Sequence, residues 1–171
     1  VTGNIIVASG VTLTIEAGVT VKFDSGKVLI VDGDLIARGT SGSGITFTSS
    51  AASPAPGDWG HIRFKDSSTD ATFDGNGDYQ SGSILEYVTV KYGDGVYTHI
   101  SDNQDTGAIW ADSASPFINN SIFEYNEKWA VFVNPEDVFK LTNNTFRYNS
   151  SANQNNYEGV VRVLGSGASR S

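Results

Sequence analysis

A run of oxygen-bearing side chains within residues 65–83 has a spacing that suits a hard cation. Asp74, Asn76 and Asp78 alternate with glycines, and oxygen ligands at alternate positions can wrap Ca²⁺. The frame of a helix–loop–helix calcium motif does not continue, because Tyr79 stands where the sharp turn needs glycine. We interpret the segment first as a polar Asp/Gly turn, with Asp74, Asn76 and Asp78 as candidate Ca²⁺ ligands; no cofactor is required.

A second polar segment, residues 93–107, carries side chains that could bind a cation or exchange protons. Asp94, His99, Asp102 and Asp105 would form either a cation site or an acid/base pair. Carboxylates clustered in loops are more often solvated turn formers, so we interpret the segment first in that way and keep the cation or acid/base site as the alternative.

Aromatic and cationic residues recur on one outward face of the chain. Because neighbours of inward strand residues point outward, Arg63, Trp110, Phe132 and Arg162 fall in one outward line, with His61 beside its start. Aromatic rings can stack on sugar rings and Arg can pair with a carboxylate. This Arg/aromatic column is therefore the predicted ligand site, for a polysaccharide or a surface protein. The alternative is that an inserted loop or a partner subunit covers it.

The elements that position these residues follow from an internal repeat. The segment Ile118-Asn-Asn-Ser-Ile-Phe-Glu-Tyr-Asn126 aligns with Leu141-Thr-Asn-Asn-Thr-Phe-Arg-Tyr-Asn149, which lies 23 residues later. Residues 85–93 fit the same frame after an inserted loop. Short alternating strands at this period predict an all-β solenoid, a right-handed parallel β-helix of about five to six coils with three strand columns and inserted loops.

The apolar residues sort into three inward columns, and segments 49–58, 65–83 and 93–107 become insertions between strands. Asn120 and Asn143 recur at one corner, where we expect an amide ladder. Trp59 is expected to plug a coil or to anchor the loop before it, with sugar binding as the alternative. The first column is predicted from Ile5/Val7, Val28/Ile30, Ile62/Phe64, Ile109/Ala111, Val131/Val133 and Val161/Val163; the second from Leu13/Ile15, Leu35/Ala37, Leu85, Ile118 and Leu141; the third from Val21/Phe23, Ile45/Phe47, Val88/Val90, Phe123 and Phe146.

The composition of the chain argues against several classes of partner and site. The formal charge is −8 and the basic residues are dispersed, which argues against nucleic acid as a partner. No apolar run approaches the roughly 18 residues of a membrane span, so membrane insertion is not expected. Cysteine is absent, which excludes disulfides and thiolate sites. We expect a β-helix domain over residues 1–164, a linker or vector-derived tail over 165–171, and a larger parent chain.

Several motifs together resemble bacterial right-handed parallel β-helix repeat proteins of the pectate-lyase-like class. They are Leu13-Thr-Ile-Glu-Ala-Gly-Val-Thr-Val-Lys-Phe23, Leu35-Ile-Ala-Arg-Gly-Thr40, Ile45-Thr-Phe-Thr48 and Gly57-Asp-Trp-Gly60. The resemblance covers nearly the full chain and implies a secreted or surface-associated protein. The class mixes polysaccharide lyases, glycoside hydrolases, adhesins and inert stalks, so the resemblance alone does not assign an activity.

The leading hypothesis is a non-catalytic extracellular structural or recognition module that binds carbohydrate or a protein partner along its outward face. A polysaccharide lyase or glycoside hydrolase is the first alternative, with Arg63 or Arg162 and the acidic loops as its only plausible machinery. The second alternative is a unit that assembles end to end through exposed strand edges.

Overall fold

Alternating Val, Ile, Thr and Phe residues place short strands at three positions in each coil, as these residue types favour in half-buried strands. The computed structural model describes residues 1–94, 107–134, 139–149 and 160–163. Three parallel sheets wind into the right-handed β-helix that the repeat predicts. Six strands stack in the first sheet and five in each of the others, so the solenoid has five full coils and a further strand.

Each sheet takes one strand from each coil. Sheet A contains β1 (Ile5–Val7), β4 (Leu29–Val31), β7 (Ile62–Phe64), β12 (Gly107–Asp112), β15 (Trp129–Asn134) and β18 (Val161–Val163). Sheet B contains β2 (Thr12–Ile15), β5 (Asp34–Arg38), β10 (Ile84–Glu86), β13 (Phe117–Asn119) and β16 (Leu141–Thr142). Sheet C contains β3 (Thr20–Phe23), β6 (Ile45–Ser49), β11 (Val88–Lys91), β14 (Ile122–Glu124) and β17 (Thr145–Arg147). The remaining strands, β8 (Thr72–Phe73) and β9 (Tyr79–Ser81), form an antiparallel hairpin.

Strand register confirms the predicted inward columns, apart from one strand of sheet A. The pairing of β1 with β4 joins Ile5 to Leu29, so Leu29 and Val31 point inward and the predicted pair Val28/Ile30 is wrong. All four residues from Val28 to Val31 are apolar, so the inward-facing and outward-facing positions look alike in the sequence. Alternation alone could therefore not decide between the two possible strand registers.

One continuous apolar core fills the solenoid. Trp59 is fully buried and stacks on Phe23, with ring centroids 4.4 Å apart, while its Nε1 donates to the carbonyl of Lys91 at 2.8 Å. Trp59 therefore plugs a coil, as the first interpretation of its position predicts. The other large side chains with no exposed surface include Phe47, Phe64, Phe123, Leu35, Ile62 and Ile109.

Asparagine side chains form hydrogen bonds between coils at a corner of the solenoid, although these residues are not Asn120 and Asn143, which the repeat suggested. Asn120 and Asn143 stand in the left-handed backbone region, with φ of 49° and 55°, which Asn tolerates better than most residues. The amide ladder forms instead at the next corner. The Asn126 carboxamide oxygen accepts from Gly93 N–H at 2.9 Å, and Asn126 Nδ2 donates to Asn149 Oδ1 at 2.9 Å. The predicted ladder at Asn120 and Asn143 is thus displaced by one corner.

Two further points concern the chain as a whole. Within the described ranges, no helix has the length and apolar character needed to cross a membrane. The predicted tail, residues 165–171, lies outside the described residues.

Candidate functional site

The Arg/aromatic column lies on the outward side of sheet A in the predicted order. Arg63 pairs with Trp110, Trp110 with Phe132, and Phe132 with Arg162 across four successive strands. This line follows from the alternation of side chains along strands β7, β12, β15 and β18. Ile62, Ile109 and Val131 point into the core, so their neighbours in the sequence point outward.

The aromatic part of this column is not an open groove. Trp110 is 7% exposed and Phe132 is 4% exposed. The Arg63 guanidinium lies over the Trp110 ring, 4.0 Å from its centroid, and forms an ion pair with Asp112. The alternative in which the column is covered fits this burial, because a ligand could not reach the ring faces without displacing other groups. Ligand binding by the column stays a prediction.

His61 is buried beside the column and makes an edge contact with Trp110, with ring centroids 5.5 Å apart. Among the described residues, neither His61 Nδ1 nor Trp110 Nε1 has a hydrogen-bond partner. Burial, aided by the nearby Arg63 charge, lowers the pKa of His61 from 6.5 to about 4. His61 is therefore a neutral imidazole at neutral pH and offers no positive charge to a ligand.

The candidate Ca²⁺ ligands form the tip of the β8–β9 hairpin. Asp74 Oδ1 accepts hydrogen bonds from the backbone N–H groups of Asn76 and Asp78, both at 2.9 Å. These bonds, first that of Asp78 and then that of Asn76, lower the pKa of Asp74. The geometry is that of an Asx-type turn, which matches the first interpretation of the segment. No group of three His, Cys, Asp or Glu side chains within the described residues could hold a metal ion, and Ca²⁺ binding by Asp74, Asn76 and Asp78 remains untested.

The hairpin covers the outer face of sheet B and builds a second, smaller apolar cluster there. Phe73 and Tyr79 pack on Phe117, with centroid distances of 5.1 and 6.2 Å. Lys140 contacts the hairpin at two points. Its Nζ donates to the carbonyl of Gly77 at 2.9 Å and lies 4.0 Å from the centroid of the Phe73 ring. Coverage of an outward stripe by an inserted loop was the alternative for the Arg/aromatic column, but no sequence signal indicates that segment 65–83 covers sheet B.

The second polar segment is described only at its start. Asp94 is buried, its N–H donates to the carbonyl of Gly60 at 2.6 Å, and its Oδ2 accepts from Trp129 N–H at 3.0 Å. Asp94 therefore joins the coil before it through its backbone N–H and the coil after it through its carboxylate. His99, Asp102 and Asp105 lie outside the described residues.

An exposed aromatic row, which sequence reasoning missed, follows the ends of the sheet C strands. Tyr92, Tyr125 and Tyr148 stack along the solenoid axis, with centroids 5.8 and 5.1 Å apart and planes within 17° of parallel. All three have left-handed backbones, with φ of 63°, 54° and 55°. Exposure rises along this tyrosine ladder, to 38% at Tyr125 and 66% at Tyr148.

The signal for the tyrosine ladder was present in the repeat. Each member follows a charged residue and precedes Gly or Asn, in Lys91-Tyr92-Gly93, Glu124-Tyr125-Asn126 and Arg147-Tyr148-Asn149. The Gly93/Asn126/Asn149 corner beneath it is hydrogen-bonded from coil to coil, which fixes the spacing of the rings. The arrangement holds large, rigid, amphipathic side chains at an exposed corner of the scaffold.

The model of a family described as a pectate-lyase like beta helix domain matches residues 1–110. Neither curated proteins nor solved structures gave a match. The matched residues include the first three coils and the start of the fourth, up to Trp110 in β12.

Proposed function

Because the chain belongs to the pectate-lyase-like β-helix domain family, we propose that it is a non-catalytic structural and recognition module of a larger secreted or cell-surface protein. Its partner is a polysaccharide or a surface protein. The tyrosine ladder is the surface that makes the contact, in place of the buried rings of Trp110 and Phe132.

The exposed stacking of Tyr125 and Tyr148 is the observation that carries this proposal. Tyrosine gives a large contact area at a low cost in conformational entropy, since only two side-chain torsions must be fixed, and it offers a hydroxyl for hydrogen bonding. Stacking on neighbouring rings and on an ordered corner reduces that cost further, because the side chains are held in place before a partner arrives.

The arrangement of charges supports a non-catalytic role. A lyase of this fold would need an Arg or a cation to meet a uronate carboxylate and a base to remove the proton. Arg63 is instead paired with Asp112, and His61 is enclosed against Trp110. Arg147 is paired with Glu124 at 2.8 Å, next to the tyrosine ladder. The ion pairs of Arg63 and Arg147 each join two neighbouring coils.

A glycan array probed with and without Ca²⁺ tests the proposal. We expect selective binding by the wild-type protein that is lost in a Tyr125→Ser/Tyr148→Ser double variant. Val11→Ser, a change at a residue that is 51% exposed on the first coil, serves as the matched control and should leave binding intact. Binding that requires Ca²⁺ would additionally support the ligands proposed at Asp74, Asn76 and Asp78.

Incubation of the protein with each glycan that it binds then tests the non-catalytic part of the proposal. We expect no shortened or unsaturated sugars in the supernatant by mass spectrometry. Their release would overturn the assignment in favour of a lyase or hydrolase. Binding that survives loss of the tyrosine ladder would overturn the assignment of the surface. Detection of the parent protein in the medium or on intact cells tests the proposed location.

A further inference from the structure

Two members of the tyrosine ladder place their phenol rings against each other at the surface. The rings of Tyr125 and Tyr148 have centroids 5.1 Å apart and planes within 13° of parallel. Both side chains are exposed, Tyr125 at 38% and Tyr148 at 66%. A small oxidant in the solvent can therefore reach two adjacent phenols at one place on the molecule.

Hydrogen bonds on both sides of this pair hold the two backbones in register. Before the two tyrosines, the Arg147 guanidinium donates to the Glu124 carboxylate at 2.8 Å. After them, the N–H of Asn126 donates to Asn149 Oδ1 at 3.1 Å. The two tyrosines also have nearly the same φ, 54° and 55°, so their side chains leave the backbone in the same direction. Groups held together in this way react with each other far more readily than with a second molecule.

Tyr92, the third member of the ladder, is placed less favourably for oxidation. Its ring is partly buried against the apolar core, and its centroid lies 5.8 Å from that of Tyr125. The Lys91 Nζ lies 5.7 Å from the Tyr92 centroid, and a positive charge beside a ring opposes the removal of an electron from it. We therefore expect oxidation to favour Tyr125 and Tyr148 over Tyr92.

Coupling of these two phenols would join two coils of a chain that has no cysteine. Disulfides are excluded, so a covalent link between coils must use another side chain. Glu124 and Arg147, which precede the two tyrosines, are 23 residues apart in the sequence and pair directly across sheet C. A bond between Tyr125 and Tyr148 would therefore connect the same corner of two successive coils.

We propose that Tyr125 and Tyr148 form an oxidative cross-linking site, at which a dityrosine bond joins neighbouring coils whether or not the ladder binds a glycan. A peroxidase acting with hydrogen peroxide removes one electron and one proton from each phenol. The two radicals combine in a Cε–Cε bond, and the hydrogen of each of these carbons moves to restore a phenol O–H. Hydrogen peroxide takes up the two electrons and two protons and becomes two molecules of water.

Treatment of the purified protein, at low concentration, with peroxidase and hydrogen peroxide tests the proposal. Low concentration limits the formation of bonds between molecules. We expect a monomeric product that is lighter by two hydrogen atoms and shows the blue fluorescence of dityrosine. Fragmentation of the linked peptides by mass spectrometry should place the bond between Tyr125 and Tyr148.

Single substitutions separate this site from the other tyrosines of the chain. Tyr125→Phe and Tyr148→Phe each keep a ring in the stack but remove one phenol, so each should lower the yield of the monomeric linked product by about tenfold or more. Tyr87→Phe changes a partly buried tyrosine that also has a left-handed backbone, with φ of 49°. It is the matched control and should give the wild-type yield.

Oxidation of the unfolded chain tests whether the folded geometry directs the coupling. In urea that unfolds the protein but leaves the peroxidase able to couple free tyrosine, the two rings are no longer held together. The yield of the Tyr125–Tyr148 bond should then fall by about tenfold. An equal yield from the folded and the unfolded chain would overturn the proposal.

Three other results would also overturn it. The first is a linked product in which other tyrosines carry the bond, and the second is linkage that occurs only between molecules. The third is no linked product from the folded protein while the same peroxidase couples free tyrosine.

Discussion

The buried imidazole of His61 predicts that the protein loses stability over a defined range of mildly acidic pH. The pKa of His61 is about 4 in the folded protein because burial disfavours the charged form, and Arg63 adds to that effect. In the unfolded chain the group titrates at its ordinary value of 6.5. Between these two values the unfolded state binds more protons, so the free energy of unfolding falls as the pH is lowered.

The size of the effect follows from the two pKa values. Each tenfold difference in proton affinity corresponds to about 1.36 kcal/mol, so the loss between pH 6.5 and pH 4 is ~3 kcal/mol. The stabilisation is complete above pH 6.5 and is lost as the pH falls through 4. Asp32 and Asp74 have pKa values lowered from 3.8, so the stability that they contribute is lost only at more acidic pH. The pH range in which His61 loses its contribution to stability therefore lies above the range for Asp32 and Asp74.

Urea unfolding followed by tryptophan fluorescence, repeated from pH 7.5 to pH 4, measures this loss. A His61→Phe variant keeps an aromatic ring against Trp110 but cannot be protonated, and its free energy of unfolding should vary far less over the same range. His99→Gln removes the other histidine of the chain and serves as the control. An equal dependence of the free energy of unfolding on pH in His61→Phe and in the wild type would show that the His61 imidazole carries none of the effect.

Three further substitutions test the packing, the corner and the hairpin. Trp59→Ala should lower the free energy of unfolding by about 3–5 kcal/mol in urea titrations, since it removes a ring stacked on Phe23 inside the core; a loss below 1 kcal/mol would contradict the burial. Asn126→Ala leaves the N–H of Gly93 unpaired at a buried corner and should cost about 1–3 kcal/mol by the same assay, whereas a neutral result would contradict the amide ladder. Asp74→Ala should accelerate hydrogen exchange at the Asn76 and Asp78 amides only, and unchanged exchange there would contradict the turn.

The fold was predictable because its determinants are local and repeated. A spacing of 23 residues between two similar segments, with strict alternation in strands such as Val88–Lys91, requires stacked coils to bury the apolar side. The same logic failed where alternation is absent. Residues 28–31 are all apolar, and only the pairing of Ile5 with Leu29 decides which of them enters the core.

The candidate site was less predictable because exposure depends on contacts between distant segments. The order of Arg63, Trp110 and Phe132 along sheet A followed from parity, but the burial of the two aromatic rings did not. Tyrosine ladder residues stand one position beyond their strands, where a left-handed backbone turns them outward. Strand periodicity carries no information about such corner positions, so the row was visible only as part of the repeat.

Hydroxyl-radical footprinting of side chains, read by mass spectrometry, distinguishes the tyrosine ladder from the Arg/aromatic column as the binding surface. The measurement compares the free protein with the protein saturated by a glycan selected on the array. We expect Tyr125 and Tyr148 to be oxidised in the free protein and protected in the complex, while Trp110 resists oxidation in both. Rapid oxidation of Trp110 in the free protein, or protection that falls on Trp110 and Phe132 and spares the tyrosine ladder, would contradict it.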